Sequence, residues 1–392
     1  MKILMINVVC GIGSTGKICS DLAEELTRQG NVVKIAYGRG KVPDQYSRFA
    51  VRIGNDFDVY KHALMSRVFD SVGLESKSST VKFIEWVKIF DPDVIHLHNL
   101  HGYYINLPIL FQYLRECGKR ILWTLHDCWP LTGHCAHFDY VKCFKWKTGC
   151  HNCEQLHSYP ASYIMDCSKR NYAVKKSLFV GIPNLVLVVP SQWLSDIVGQ
   201  SFFKGYIVKV IPNGIDTNIF KPISSNLREK LKIGDKKVIL GVANRWSEKK
   251  GLKDLLELHR KLDNRYKMIL IGVNARERKK AKIDTDIITI RQMDNKNELA
   301  KYYTMADVFV IPTYEDTYPT VNLEAIACGT PVISYETGGS GESASCFGTV
   351  VPQGDIEGVK RAIMEGKYTR KAIELSRGYM VSRYMRLYTE PN

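Results

Sequence analysis

Asp316 and Glu324, with seven residues between them, lie in the segment DTYPTVNLEAIACGTP that spans residues 316–331. The apolar run Val308, Phe309, Val310 and Ile311 before it, closed by Pro312, reads as a buried strand. Both carboxylates therefore belong to a strand's carboxyl end, where open α/β sheets bind ligands. The turn formers Thr317 and Pro319 introduce a helical run over residues 322–328. Free N–H groups of Thr320 and Val321 at the start of that helix would face an anion. Glu324, about one turn in, could accept hydrogen bonds from paired hydroxyls such as those of a ribose. Phosphate and sugar recognition are thus offered side by side. An ordinary acid-capped helix start would account for Asp316 alone, but not for the whole sixteen-residue run.

A second cluster, Asn244-Arg245-Trp246-Ser247-Glu248-Lys249-Lys250-Gly251, follows another buried-looking strand. Arg245 supplies a planar fork and Lys250 a point charge, and the two could grip one diphosphate through charge-assisted bonds worth about 1.5–3 kcal/mol each. A leaving nucleoside diphosphate would then be stabilised without a metal. Two cations in a loop are also a common solvated feature, and spacing alone does not separate these readings. Near the start, Gly11-Ile12-Gly13-Ser14-Thr15-Gly16 is a literal GxGxxG between a strand and a helix. The next strand ends Tyr37-Gly38-Arg39, without the carboxylate that a ribose hydroxyl needs, so the rival reading here is an NADP-dependent oxidoreductase. The same loop matches GxxxxGK through Lys17, yet Ile18 stands where a magnesium-binding Ser or Thr belongs, which disfavours nucleotide hydrolysis.

Trp123-Thr124-Leu125-His126-Asp127 places His126 at the end of a further strand. In IHLHNLHGYY, alternation puts His96 and His98 on one face, as a polar core pair or an acceptor wall; packing is favoured for those two and acceptor contact for His101. Cys135, Cys143, Cys150 and Cys153 form C-x7-C-x6-C-x2-C, in which the last pair alone has ligand-like spacing. Four thiols within nineteen residues favour a structural tetrahedral zinc, with His134, His137 and His151 as substitute ligands. The alternative is four reduced thiols in an insert over about residues 128–157.

Residues 316–331, and more widely the stretch from Ala306-Asp307 to Gly338-Gly339, resemble the acidic–x7–acidic motif of retaining GT-B glycosyltransferases of family 4, in particular bacterial surface-polysaccharide members of the capsule and exopolysaccharide type. The Arg245–x4–Lys250-Gly251 spacing and the turn Pro212-Asn213-Gly214-Ile215-Asp216 are similar to the same family. The resemblance implies an α/β chain with two doubly wound Rossmann-like domains facing across a cleft. It implies a hexosyltransferase-type enzyme that transfers a sugar with retention and without a metal. The donor would be a nucleotide diphosphate sugar, of UDP or GDP, and the acceptor a glycan or a polyprenyl-diphosphate-linked saccharide, with no catalytic cofactor. Carried onto this chain, the motif assigns Arg245, Lys250, Thr320, Val321 and Glu324 to the nucleotide, Gly16 to the loop where backbone meets donor phosphate and acceptor, and His126 to the donor-sugar pocket. The family has Glu at the first acidic position; here Asp316 stands there, preceded by Glu315, and both remain candidates for the donor sugar. A non-catalytic relative that only binds glycan is a further alternative.

The elements that must position these residues alternate along the chain. Strand-like runs at 2–9, 32–37, 94–98 and 121–125 enclose an amphipathic stretch with Ile18, Leu22 and Leu26 that stops at Gly30. A second series runs through 238–243, 252–262, 268–271, 298–305, 308–311 and 332–334. Alternation of this kind predicts parallel sheets. The expected division is an acceptor-side domain over 1–205, a nucleotide-sugar domain over 206–369, and a terminal helix over 370–392 that, by the resemblance, crosses back to the first domain.

A chain of 392 residues, 45% apolar, is long enough for two or three such domains. Its net charge of +15 is spread over both halves, with neither an RNA-binding aromatic signature nor zinc-finger spacing. Nucleic acid is therefore not an expected partner; phosphate-bearing substrates or an anionic membrane surface fit better. The basic run over residues 276–282 reads as a solvated helix face, or one resting on lipid headgroups. No apolar run approaches the ~20 residues needed to span a bilayer, and residues 1–9 are too short for a signal segment. Eleven cysteines without such a signal point to a reducing cytoplasm, compatible with the inner face of the cell membrane.

Overall fold

The structure is a computed structural model and describes residues 1–293 and 295–390; residues 391 and 392, the end of the expected terminal segment, lie outside the described residues. The chain forms two compact units, Met1–Pro212 together with residues 380–390, and Asn213–Tyr379.

The first unit is built on strands β1 (Lys2–Asn7), β2 (Val32–Tyr37), β3 (Ala50–Arg52), β4 (Val94–Leu97), β5 (Arg120–Thr124), β6 (Leu185–Val189) and β7 (Ile207–Val210). They lie in the order β3-β2-β1-β4-β5-β6-β7, and every neighbouring pair is parallel. Strands covered on both faces by helices read as continuous apolar runs, as β6, LVLVV, does with all five residues buried. The helix Gly13–Arg28 lays Ile18, Cys19, Leu22, Ala23 and Leu26 against the sheet at helical spacing. Because β7 completes this sheet, the unit extends to Pro212 rather than stopping at 205.

The second unit repeats the plan with β8 (Lys237–Val242), β9 (Tyr266–Ile271), β10 (Ile288–Ile290), β11 (Val308–Ile311), β12 (Val332–Tyr335), β13 (Phe347–Val351) and β14 (Thr369–Arg370), ordered β10-β9-β8-β11-β12-β13-β14. All pairs are parallel except the edge pair β13–β14. Each unit is thus a doubly wound Rossmann-like domain. The strand order reverses between β1 and β4 in the first sheet and between β8 and β11 in the second. At such switch points the loops leaving neighbouring strands diverge and open a crevice for a ligand. The candidate residues leave the carboxyl ends of β1, β4 and β5 in one domain and of β8 and β11 in the other.

The terminal helix is Arg377–Thr389, shorter than the stretch expected from residue 370, because residues 369–370 pair instead as the sheet edge. From Met380 onward it belongs to the first unit, burying Met380, Val381, Tyr384, Leu387 and Tyr388 in that domain's core. Two of its hydroxyls complete a buried polar chain: Tyr388 Oη lies 2.7 Å from His96 Nδ1, Thr124 Oγ1 lies 2.7 Å from His96 Nε2, and Tyr384 Oη lies 3.0 Å from Thr124 Oγ1. His96 is fully buried, so both ring nitrogens need these partners. The Tyr388→Phe variant leaves Nδ1 without one and should lower stability by about 1–3 kcal/mol, read from the urea unfolding curve followed by intrinsic fluorescence. A change within about 0.5 kcal/mol of zero would show that water or a neighbour replaces the phenol.

Candidate active site

The loop between β11 and the helix Thr320–Ala327 carries the acidic cluster, and its backbone is fixed by short bonds. Thr313 Oγ1 donates to the carbonyls of Lys249 and Glu315, and Tyr314 N donates to Lys249 O. The strand-end loops of β8 and β11 are thereby joined. Lys250 Nζ lies 2.7 Å from Asp316 Oδ2 and 3.1 Å from Glu315 O. Lys249 Nζ lies 2.9 Å from Glu315 Oε2. The two adjacent carboxylates thus take adjacent lysines, but in different surroundings. Glu315 is buried, and its Oε1 receives no hydrogen bond; Asp316 keeps partial exposure, with Oδ1 accepting from Tyr318 N at 3.3 Å.

Two glycines permit this geometry. Gly251, at φ +72°, packs so close to the β11 loop that a Cβ would sit 2.0 Å from Pro312 O. Gly338, at φ +52°, would place one 1.8 Å from Asp316 O. Side chains are excluded at both points by space as well as by the left-handed backbone.

The helix Thr320–Ala327 starts after Pro319 with no side-chain cap, so its first N–H groups, those of Thr320 and Val321 among them, are not taken by a capping side chain. Glu324 is half-buried, and its Oε2 accepts from Tyr303 Oη at 3.0 Å. The helix is anchored beneath by Asn322, whose Nδ2 donates to Ser340 O, Ser340 Oγ and Ser343 Oγ at 3.2, 3.3 and 2.9 Å. Arg245 stands apart from this cluster. Its side chain is 88% exposed, and its nearest carboxylate is Glu277 at 3.9 Å. Trp246 beside it is buried and donates Nε1 to Ile271 O, so the loop is anchored while the guanidinium reaches outward.

Sequence reasoning passed over Lys249, Tyr303, Tyr318 and the Asn322–Ser340–Ser343 network. Each acts through a partner distant in sequence except Tyr318, and no local pattern announces them. Asp254 was missed likewise; its Oδ2 accepts from Tyr314 Oη and Tyr335 Oη, each at 2.7 Å.

In the first domain Gly16 lies within the first helix, where a Cβ would come within 2.9 Å of Val9 Cγ2, and its carbonyl accepts from Gly11 N at 3.2 Å. The glycine loop is closed on itself by that contact. His126 leaves β5 with Nε2 2.9 Å from His98 Nδ1, their rings stacked at 5.2 Å, and His98 in turn lies 4.0 Å from His96. Burial holds the pKa of His126 near 4 and that of His96 near 3, so this column is neutral at physiological pH and acts through hydrogen bonds, not charge. His101 belongs to a separate pair: Nε2 lies 2.7 Å from Asp127 Oδ2 and Nδ1 lies 3.1 Å from Tyr159 Oη. Burial alone would raise the Asp127 pKa, but His101 draws it down to about 2.

Cys135, Cys143, Cys150 and Cys153 all pack against one aromatic and aliphatic cluster that contains Phe138 and Trp146, with every thiol free. Among the described residues no group of three or more His, Cys, Asp or Glu side chains is arranged to hold a metal ion. Hydrogen bonding from Cys135 draws the Cys153 thiol down to about 6, while His134 is turned toward Asp70, with Nδ1 2.6 Å from Oδ1. The four thiols thus converge on one packed cluster.

Comparison with known proteins covers almost the whole chain. Residues 15–219 match the family model described as Glycosyltransferase Family 4, and residues 224–367 match that described as Glycosyl transferases group 1. The Escherichia coli (strain K12) protein WcaC, named for an assigned role as a colanic acid biosynthesis glycosyl transferase, is 26% identical over 359 residues, spanning 85% of this chain and 83% of that one. Among solved structures, a sucrose-phosphate synthase from Thermosynechococcus elongatus superposes with TM-score 0.68 at 18% identity, covering 99% of this chain and 96% of that one. Anabaena HepE in complex with UDP gives TM-score 0.63 at 14% identity, covering 98% and 95%. These likenesses match the GT-B fold expected from the sequence.

The buried histidines of the first domain also set a pH dependence. His62, His96 and His126 have pKa values near 4, 3 and 4, against 6.5 when unburied. Below pH 6.5 the unfolded chain takes up protons that the folded domain refuses, so acid favours unfolding. The thermal midpoint of the first domain should be insensitive to these groups above pH 6.5 and fall from there to about pH 5, before most carboxylates titrate. A midpoint that rises on acidification through that window would contradict the burial of the column.

Proposed function

The chain belongs to glycosyltransferase family 4, and on that premise we propose that it is a retaining, hexosyltransferase-type enzyme that uses a nucleotide diphosphate sugar. The acceptor is a glycan or polyprenyl-diphosphate-linked saccharide of bacterial surface-polysaccharide synthesis, presented at the cytoplasmic face of an anionic membrane. The observation that carries the reading is the Lys250 ammonium poised on Asp316 at the carboxyl end of β11, beside a helix whose first amides lack a side-chain cap. The likeness to WcaC over most of both chains supports the polysaccharide assignment, and the UDP in the HepE crystal supports a nucleoside diphosphate as the leaving group.

On this reading the pyrophosphate meets Lys250 and the amides of Thr320 and Val321. Arg245, extended from an anchored loop, swings in as a second cation, and no metal is needed to offset the charge. Glu324, held by Tyr303, accepts from the ribose hydroxyls. Asp316, with more exposure than Glu315, is the carboxylate that reaches donor-sugar hydroxyls; Glu315 is engaged by Lys249. Neutral His126 offers the sugar a hydrogen bond, and Gly16 keeps the loop free of side-chain bulk. The bond from the anomeric carbon to the phosphate oxygen breaks as the bond to the acceptor oxygen forms on the same face, and the acceptor proton passes to the departing phosphate.

Incubation with a panel of UDP- and GDP-sugars should release the matching nucleoside diphosphate, with the anomeric configuration kept in the product by NMR. Lys250→Ala should lower that release by about ten- to a hundredfold with the fold intact by circular dichroism. Oxidation of NADPH without nucleotide release would favour the oxidoreductase reading, and glycan binding without either would favour a non-catalytic relative.

A further inference from the structure

The helix Asp56–Phe69 carries apolar side chains on its outer face as well as its inner one, where Ala63 joins the domain core with Val59 packed against it. Its buried residues are His62, Ala63 and Ser66, whereas Phe57, Tyr60 and Leu64 are 73, 74 and 62% exposed. A helix on a globular domain ordinarily buries its apolar stripe; here the i, i+3, i+4, i+7 face made by Phe57, Tyr60, Lys61 and Leu64, continued by Arg67, points to solvent. Polar bonds fasten the inner side as well. His62 Nδ1 lies 2.8 Å from Ser76 Oγ and its Nε2 accepts from Gly73 N at 3.1 Å. An Asn55–Asp58 capping box closes the start, and Ser79 Oγ adds a bond to Asp58 Oδ2 at 2.9 Å. The outward apolar residues are therefore not what holds the helix in place.

The exposed face continues onto a neighbouring segment. Tyr163 N donates to Arg67 O at 2.7 Å and Met165 N to Val68 O at 3.1 Å, which sets exposed Tyr163, Ile164 and Met165 beside the end of the helix, next to exposed Phe69. The charges around this patch are of one available sign. Lys61 and Arg67 lie on the helix face, and Arg170 donates to the carbonyls of Phe69 and Asp70. The nearby acids are engaged: Asp56 pairs with Arg52, Asp58 serves the cap, and Asp166 accepts from the amides of Cys153 and Ser168.

We propose that this face, the helix Asp56–Phe69 with Tyr163, Ile164 and Met165, is the surface by which the first domain seats on an anionic lipid bilayer. The aromatic and aliphatic side chains enter the boundary between headgroups and acyl chains, and Lys61 and Arg67 meet lipid phosphates. The charge complementarity singles out this partner: apolar residues that suit the membrane interface stand among cations whose neighbouring acids are already paired. The proposal deepens the membrane-surface reading above and rests on it for the class of partner.

The test is flotation of the full chain with phosphatidylethanolamine vesicles, with and without phosphatidylglycerol. Wild-type protein should float with the anionic vesicles. The triple variant Phe57→Ser, Tyr60→Ser, Leu64→Ser should bind more than about tenfold more weakly with an unchanged thermal midpoint, because all three residues are exposed. Lys61→Glu with Arg67→Glu should remove the preference for phosphatidylglycerol. If both variants float as wild-type does, this face is excluded while the membrane reading stands. If wild-type protein floats with neither vesicle, both fall, and release of UDP or GDP from donors still reports separately on the transferase reading. A triple variant that changes oligomeric state by light scattering while floating normally would make the face a contact between copies and overturn the proposal.

Discussion

A lysine ammonium 2.7 Å from a carboxylate at the end of a buried parallel strand is the contact on which the second domain's site turns. Both partners sit beside backbone that can come so close only because the neighbour is glycine, Gly251 against Pro312 and Gly338 against Asp316. The Lys250–Asp316 pair keeps 36 and 20% of its side-chain surface exposed, and a pair so solvated contributes about 0–1 kcal/mol. On the proposed reading, little is lost when an arriving phosphate replaces the carboxylate as the lysine's partner. The adjacent Lys249–Glu315 pair differs, because the Glu315 side chain is only 6% exposed and one of its oxygens already lacks a hydrogen bond. Removing Lys249 would strand a buried charge. On that reading Lys250 exchanges partners and Lys249 stays, although the two are consecutive in the chain.

Much of this frame was legible in the sequence. The run 308–311 coincides with β11, a continuous apolar run closed by Pro312, and the second strand with β2, whose apolar Val32, Val33, Ile35 and Ala36 stop short of Gly38. Of the strands passed over, β3, β10 and β14 hold three, three and two residues, too few for a period to emerge, whereas β6 and β13 are five-residue strands inside their sheets whose apolar runs were there to be read. The division near residue 205 fell short because β7, IVKV, is only partly buried and carries no mark of which sheet it joins. At the site, the loops could be identified but the pairings within them could not. Lys250 meets Asp316 across 66 positions, and Tyr303 meets Glu324 across 21 and two elements. Such contacts follow from strand order, which local pattern does not reveal. The thiol cluster illustrates the converse, since close spacing along the chain did not translate into a shared ligand geometry.

The helix Asp56–Phe69 illustrates a subtler limit of pattern reading. Its apolar residues do recur at helical spacing, and the usual inference would turn that stripe inward. Its inner face is held by polar contacts, His62 with Ser76 and Gly73 and Asp58 with Ser79, together with the packing of Ala63 and Val59 on the core, which leaves Phe57, Tyr60 and Leu64 outside. Burial keeps the His62 pKa near 4, so the imidazole serves there as a neutral donor and acceptor. Periodicity fixes which residues share a face; hydrogen-bond satisfaction decides which face goes in.

The two domains differ in the electrostatics they offer at their strand ends, and the proposed reaction gives that difference a rationale. The second domain presents lysines, helix amides and carboxylates, groups suited to a pyrophosphate whose charge grows as the sugar departs. The first presents a histidine column kept neutral by burial and a His101–Asp127 pair, with Gly16 closing the loop after β1. On the proposed reading a neutral His126 contributes a directional hydrogen bond to an uncharged sugar. The depth of the column, in which Tyr388 and Thr124 occupy both nitrogens of His96 and the His96 ring lies tilted against that of His98, is therefore functional as well as structural on the proposed reading. It holds His126 in a low-dielectric setting where the imidazole remains uncharged across the physiological range.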